Sequence, residues 1–250
     1  MRFIAFLLAL VAAMAAMPAA AQNQLFEVKG RKAAPGPDDK DNLWLLDLST
    51  GGRVTILLRP DVAPNMVARV KTLTRDHFYD GTIFHRVMDS PVPIAQGGDP
   101  GGDGRGGSDL PDLKAEFNYL PHVRGAVSAA RRGAPEGASE EQRTEAENSA
   151  NSQFFIMFQP YLGFDRKYTV FGRVIDGMEY VDKIHRGQPP ADPTRIVHAY
   201  IAADNPPPYS NAPAAAPSPA QQKDADIVLP GAGDGADAAG DPAAGKSDSD

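Results

Sequence analysis

The chain has 250 residues, 24 Gly, 23 Pro, no Cys and a formal net charge of −7. Without cysteine there is no disulfide framework, no thiolate nucleophile and no sulfur-built zinc or iron–sulfur site. Asp204–Asp250 holds eight Asp, no Glu and two Lys and so carries −6 of the total, leaving the rest near neutral and without a basic face for nucleic acid.

Met1–Ala21 reads as an export signal. Arg2 gives a minimal positive start, Phe3–Met17 is continuously apolar, and Ala19-Ala20-Ala21 fits a small-residue cleavage site. The apolar run is shorter than the ~20 residues of a spanning helix, and Pro18 closes it. The expectation is therefore a periplasmic or secreted protein with no membrane span after cleavage. Residues 22–41 are polar, with Pro35-Gly36-Pro37 and an Asp38-Asp39-Lys40-Asp41 run, and read as a linker.

Between this linker and the acidic end lies one compact unit, Asn42–Asp204. Leu43–Leu48 and Val54–Leu58 flank Ser49-Thr50-Gly51-Gly52 and predict a hairpin. Asp61 is placed to cap a helix in which Met66, Val67, Val70 and Leu73 recur on one face. Phe84–Met88, Phe154–Phe158, Thr169–Ile175 and Arg195–Ala202 are β-branched and aromatic, hence strands, and a second helix is expected near Met178–Arg186. This pattern predicts a mainly β domain, a closed β-barrel with two α-helices over its ends. Residues 205–250 are Ala/Pro/Gly/Asp-rich and, apart from Ile227-Val228-Leu229, almost without large apolar side chains, which predicts a disordered tail.

Several motifs carry less than they promise. Gly102-Asp103-Gly104-Arg105-Gly106-Gly107 matches G-x-G-x-x-G, but no apolar helix follows and Asp103 would oppose a pyrophosphate; it reads as a flexible glycine loop. The five histidines, His77, His85, His122, His185 and His198, show no metal-ligand spacing and are assigned structural or surface roles. His85 and Arg86 are neighbours on a predicted strand and face opposite ways. Ser152 lacks the glycine elbow of a serine nucleophile. More informative are three pairs at i and i+2, each on one face of a predicted strand: Phe84 with Arg86, Ile94 with Gln96, Gln153 with Phe155. A guanidinium, two carboxamides and apolar groups make a surface that holds a peptide by hydrogen bonds and apolar contact.

The blocks Phe84-His85-Arg86-Val87, Gln96-Gly97-Gly98-Asp99-Pro100, Asn148–Ile156 and Tyr168–Val174 together resemble a cyclophilin-type peptidyl-prolyl cis–trans isomerase of the bacterial, exported kind. The resemblance implies an eight-stranded antiparallel barrel closed by two helices and an isomerase of X–Pro bonds in the folding of exported proteins. It further implies proline-containing polypeptides as partners, no cofactor or metal, and a monomer. Carried over, Arg86 falls at the catalytic arginine and Gln96 at the glutamine that orients it. Gln153 falls at a substrate-contacting glutamine, Phe155 at the floor of the proline pocket, Phe164 at a pocket leucine and Tyr168 at a position often occupied by histidine. Phe84, Ile94, Ala130 and Arg131 complete the implied substrate site. The chain departs from the family pattern at Pro93-Ile94, where Phe-Met is usual. It departs again at Ala130-Arg131-Arg132, where Ala-Asn-Ala is usual, and in an apparent insertion, Gly133–Glu147. Pro93-Ile94 and the insertion favour a second reading, a non-catalytic peptide-binding module on the same barrel; intact Arg86, Gln96, Gln153 and Phe155 oppose it.

Overall fold

A computed structural model of the protein describes residues 32–209. The expected signal Met1–Ala21, the first part of the linker and the tail from Ser210 onward lie outside the described residues. Eight strands are present: β1 Leu43–Leu48, β2 Gly52–Leu58, β3 Arg86–Met88, β4 Ile94–Gly97, β5 Ala126–Ala129, β6 Phe154–Met157, β7 Val170–Asp176 and β8 Ile196–Ile201. All neighbours are antiparallel, in the order β3-β4-β6-β5-β7-β2-β1-β8. β1 and β2 form the expected hairpin, with Gly51 and Gly52 at φ 92° and 146° supplying the turn conformations that L side chains resist.

The expectation of a closed barrel is corrected. No ladder joins the outermost strands β3 and β8, and the sheet is open and curled. Its edges approach through an isolated bridge, Ile83 with Arg195, and backbone bonds such as Phe84 N–H to Thr194 O (2.9 Å) and Ile196 N–H to Thr82 O (2.9 Å). β3 is only three residues long, too short to build a full second ladder beside the one it shares with β4.

Among the described residues three α-helices accompany the sheet, not two: α1 Pro64–Arg75, α2 Glu140–Glu147 and α3 Met178–Asp182. α1 buries Met66, Val67, Val70 and Leu73 in the sheet's concave interior, each such burial stabilising by about 1.5–3 kcal/mol. Its start is not capped by Asp61, whose carboxylate is held by Arg59 at 2.7 Å. Pro64 opens the helix, where a missing N–H costs nothing. The N–H groups of Asn65 and Met66 instead donate to the carboxylate of Glu116, at 3.0 and 2.9 Å. α2 lies within the apparent insertion. It is set by a capping box in which Gln142 N–H donates to Ser139 Oγ and Ser139 N–H donates to Gln142 Oε1.

The interior is organised around Trp44, which meets Phe154 edge-on at 4.9 Å and Tyr79 at 5.2 Å. A second apolar cluster, on the other face of the sheet, holds Val92, Ile94, Ala126, Ala130, Phe155, Met157, Phe164, Tyr168 and Val170. At the C-terminal end, residues 205–209 return to the sheet. Arg53 Nη2 donates to Pro207 O (2.9 Å) and Tyr209 Oη to Leu48 O (3.0 Å). No helix among the described residues is long and apolar enough to cross a membrane.

Candidate active site

The site is laid out by strand register. Arg86 stands opposite Gln96, Gln96 opposite Phe155, and Phe155 opposite Ser128, a single row across β3, β4, β6 and β5. A parallel row runs Met88, Ile94, Met157. Directly paired residues share a face, so both rows lie on the face of the second apolar cluster. Phe155 is its floor. The rings of Phe164 and Tyr168 meet it edge-on at 5.8 and 5.5 Å, and the His122 ring stacks on it at 6.1 Å with planes 19° apart.

Around this floor the protein leaves polar atoms without partners. Among the described residues, Arg86 Nε, Gln96 Oε1, Ser128 Oγ, Tyr168 Oη and His122 Nε2 are buried with no hydrogen bond. Buried polar groups are almost always paired, and each one left unpaired costs about 1–3 kcal/mol. Five gathered on one apolar face form a surface complementary to a ligand that carries its own donors and acceptors. Burial pushes the Arg86 guanidinium below its usual value, partly offset by Tyr168, and pushes the Tyr168 hydroxyl up, opposed by Arg131 and Arg86.

Of the residues expected at the site, Arg86, Gln96, Ile94, Ala130, Phe155, Phe164 and Tyr168 are brought together. Phe84 is not. It points into the interior and meets Phe154 at 6.1 Å, because it precedes β3 at the isolated bridge, where strict alternation has not begun. Gln153 is fully buried and fully engaged: its Nε2 donates to Gly104 O (3.1 Å) and Gly106 O (2.8 Å), and its Oε1 accepts from Gln96 Nε2 (2.9 Å). It braces Gln96 and presents no spare group. No hydrogen bond joins Gln96 to Arg86. The Arg131 guanidinium sits over the Tyr168 ring, 4.7 Å from its centre, and donates to Lys167 O (3.2 Å) and Arg132 O (3.1 Å), fastening one wall.

The glycine loop is tied down. Asp99 accepts from Gly101 N–H (3.0 Å) and Gly104 N–H (2.6 Å), and a Cβ at Gly106 would collide with Asp99 Oδ1. Its carbonyls hold Gln153, so it supports the site from behind. Sequence reasoning missed Ser128 and His122. Period-two alternation back from Ala130 reaches Ser128. Nothing local marks His122, whose backbone N–H and Nδ1 both reach Asp165 Oδ1 (2.8 and 2.9 Å) across 43 residues.

The family described as cyclophilin type peptidyl-prolyl cis-trans isomerase/CLD matches residues 45–201. The chain belongs to this family. A probable peptidyl-prolyl cis-trans isomerase of Brucella suis is 42% identical over 182 residues, covering 66% of this chain and 85% of its own. Peptidyl-prolyl cis-trans isomerase B of Bacillus subtilis is 35% identical over 142 residues, covering 56% and 88%. Among solved structures, a cyclophilin from Hirschia baltica superposes with a TM-score of 0.56 at 29% identity, over 68% of this chain and 77% of that one. A Cryptosporidium parvum cyclophilin type isomerase, crystallised in the presence of the dipeptide Ala-Pro, gives 0.54 at 25% identity, over 64% and 98%. The chain is thus a cyclophilin-type prolyl isomerase.

Proposed function

We propose that this cyclophilin isomerises X–Pro bonds by gripping the twisted amide on the Phe155 face, with Arg86 as the catalytic residue. Amide resonance sets a barrier of ~18–20 kcal/mol. Lowering it needs no nucleophile, only tighter binding of the twisted form than of either planar one. The proline ring sits on Phe155 between Ile94 and Phe164. Twisting localises the lone pair on the prolyl nitrogen, which becomes an acceptor. Arg86, charged and rigid, holds the preceding carbonyl and donates toward that nitrogen. Gln96 Oε1 accepts a substrate backbone N–H, and Ser128 and Tyr168 offer hydroxyls at the margin.

The observation that carries this reading is the set of unpartnered polar atoms around a buried aromatic floor. A protease-coupled assay on a short X–Pro peptide tests it. Arg86→Ala should lower kcat/KM by about 10²–10³-fold, the cost of losing one transition-state donor, with thermal unfolding unchanged. Arg86→Lys should recover little, since an ammonium cannot copy the planar fork. Wild-type turnover in folded Arg86→Ala would sink the assignment.

We further infer that the enzyme works outside the cytoplasm, as a monomer, on exported polypeptides. The apolar run Phe3–Met17 and the alanines before Gln22 support export. Mass spectrometry of protein recovered from the periplasm or medium should place Gln22 at, or next to, the N-terminus; an intact Met1 in the membrane fraction would refute it.

A further inference from the structure

The groove takes X–Pro sequence, and the chain supplies X–Pro sequence of its own. Residues 205–250 contain eight prolines. Only one, Pro230, follows large aliphatic side chains, in Ile227-Val228-Leu229-Pro230-Gly231. That segment is the apolar exception in an Ala/Gly/Asp tail, and the catalytic reading leaves it unexplained.

Three observations connect it to the groove. The first is chemistry. The floor and walls, Phe155, Ile94 and Phe164, are apolar, and the unpartnered Arg86 Nε and Gln96 Oε1 suit a peptide backbone. The second is charge. Arg86 stands in the row beside Gln96, Arg131 lies over the Tyr168 ring, and Arg166 and Lys167 directly precede Tyr168 in the chain, whereas Asp224, Asp226, Asp234 and Asp237 bracket the Ile227–Pro230 segment.

The third is reach. Tyr209 bonds to Leu48 O at the end of β1, four strands from β6 in the curled sheet. A domain of about 180 residues has a radius of gyration near ~16 Å, so half its girth is ~60–65 Å. Fully extended chain covers at most ~3.3–3.6 Å per residue. Pro213 and Pro217 therefore reach only ~14 and ~28 Å from Tyr209. Pro230, twenty-one residues on, reaches ~70–75 Å, enough to arrive at the groove by any route.

We propose that Ile227–Pro230 is an intramolecular ligand of the groove, seating Pro230 on Phe155 in competition with peptide substrates. This rests on the prolyl isomerase reading and adds to it a partner and a form of regulation. A tethered segment competes at an effective concentration fixed by the length of its tether and the span it must cover, independent of how much protein is present, so it sets a threshold that a dilute substrate must exceed and that a long unfolded client, offering many sites, passes easily.

The test compares the full chain with its Pro230→Ala variant in steady state on a short X–Pro peptide. Pro230→Ala should lower KM by on the order of 2–5-fold at unchanged kcat. A synthetic peptide spanning Asp224–Asp234, added to that variant, should compete with substrate and restore the higher KM. Identical KM values for the two proteins, together with no competition by the peptide, would overturn the proposal while leaving the isomerase reading intact. A KM difference that grows with enzyme concentration would also overturn it, since the contact would then be between chains. Absence of turnover in both proteins would instead be a failure of the catalytic reading, and peptide-induced NMR shifts at the Arg86 side chain would still report whether the segment binds.

Discussion

Arg86 and Gln96 face each other across β3 and β4 with one unpartnered polar atom apiece, although a donor and an acceptor stand side by side. Gln96 is held by Gln153, and Gln153 by the glycine loop. The acceptor of Gln96 is thus fixed in place with its bonding capacity unspent, which is what preorganised recognition of a distorted amide demands. His122 plays a different part. Its ring backs Phe155, and its two bonds to Asp165 anchor the turn Leu162–Phe164, which carries a pocket wall. It is a positioning residue. His122→Phe keeps a flat ring behind Phe155 but loses the side-chain bond, worth about 1–1.5 kcal/mol. The expected outcome is a KM for peptide raised by about 5–10-fold with kcat almost unchanged. Steady-state kinetics would separate this from a catalytic role, in which kcat would fall.

At the scale of elements, what the sequence revealed depended on how each element is stabilised. α1 repeats its apolar residues on one face, and β1, β2 and β7 gather apolar and β-branched residues into short buried runs, so these elements were readable. α2 buries only Ala146 and rests on its capping box and the local chain path, so no apolar period announced it. The pairing of β4 with β6 is a long-range contact that alternation alone cannot specify. The i, i+2 rule served Ile94 with Gln96, both inside a strand, and failed for Phe84, which precedes one. The four sequence blocks contain Arg86, Gln96, Phe155 and Tyr168 of the site, whereas Ile94, Ser128, Ala130 and Phe164 of the same face lie outside them. Its bracing, from Asp99 through the glycine loop to Gln153, is made of backbone carbonyls and N–H groups that leave little compositional trace beyond the glycines themselves.

For the molecule as a whole, buried histidine sets an acid limit. His85 lies behind Arg86 with both ring nitrogens unpartnered. Burial holds its pKa down at about 4 from an ordinary 6.5, with Asp99 and Asp103 pulling upward and Arg86 reinforcing the fall. The unfolded chain therefore binds this proton more readily than the folded one. Stability is complete above pH ~6.5 and declines toward pH 4, at up to ~1.4 kcal/mol per pH unit for each such group. His122, also pushed down by burial, adds to the same limb. Denaturant unfolding at pH 7, 5.5 and 4.5 should show this decline, and His85→Gln should flatten it by one proton's share whatever its effect at pH 7. Equal slopes in parent and variant would show that His85 does not titrate there.

The gap between β3 and β8 has a consequence for how the enzyme fails. Native proteins open locally, and the opening free energy ranges from near zero to the global value according to how well each part is supported. Here the junction is a few backbone bonds around residues 81–84 and 194–196, whereas β1, β2 and β7 are laddered on both sides. Arg86 is two residues beyond that clasp. A fluctuation that releases it loosens the segment leading into the strand that bears the guanidinium, which β4 and the Val87–Gly187 bridge still hold, while Trp44 and its neighbours stay packed. Inactivation would then be a separate event from denaturation, reached sooner on heating and reversed by reclosing the clasp.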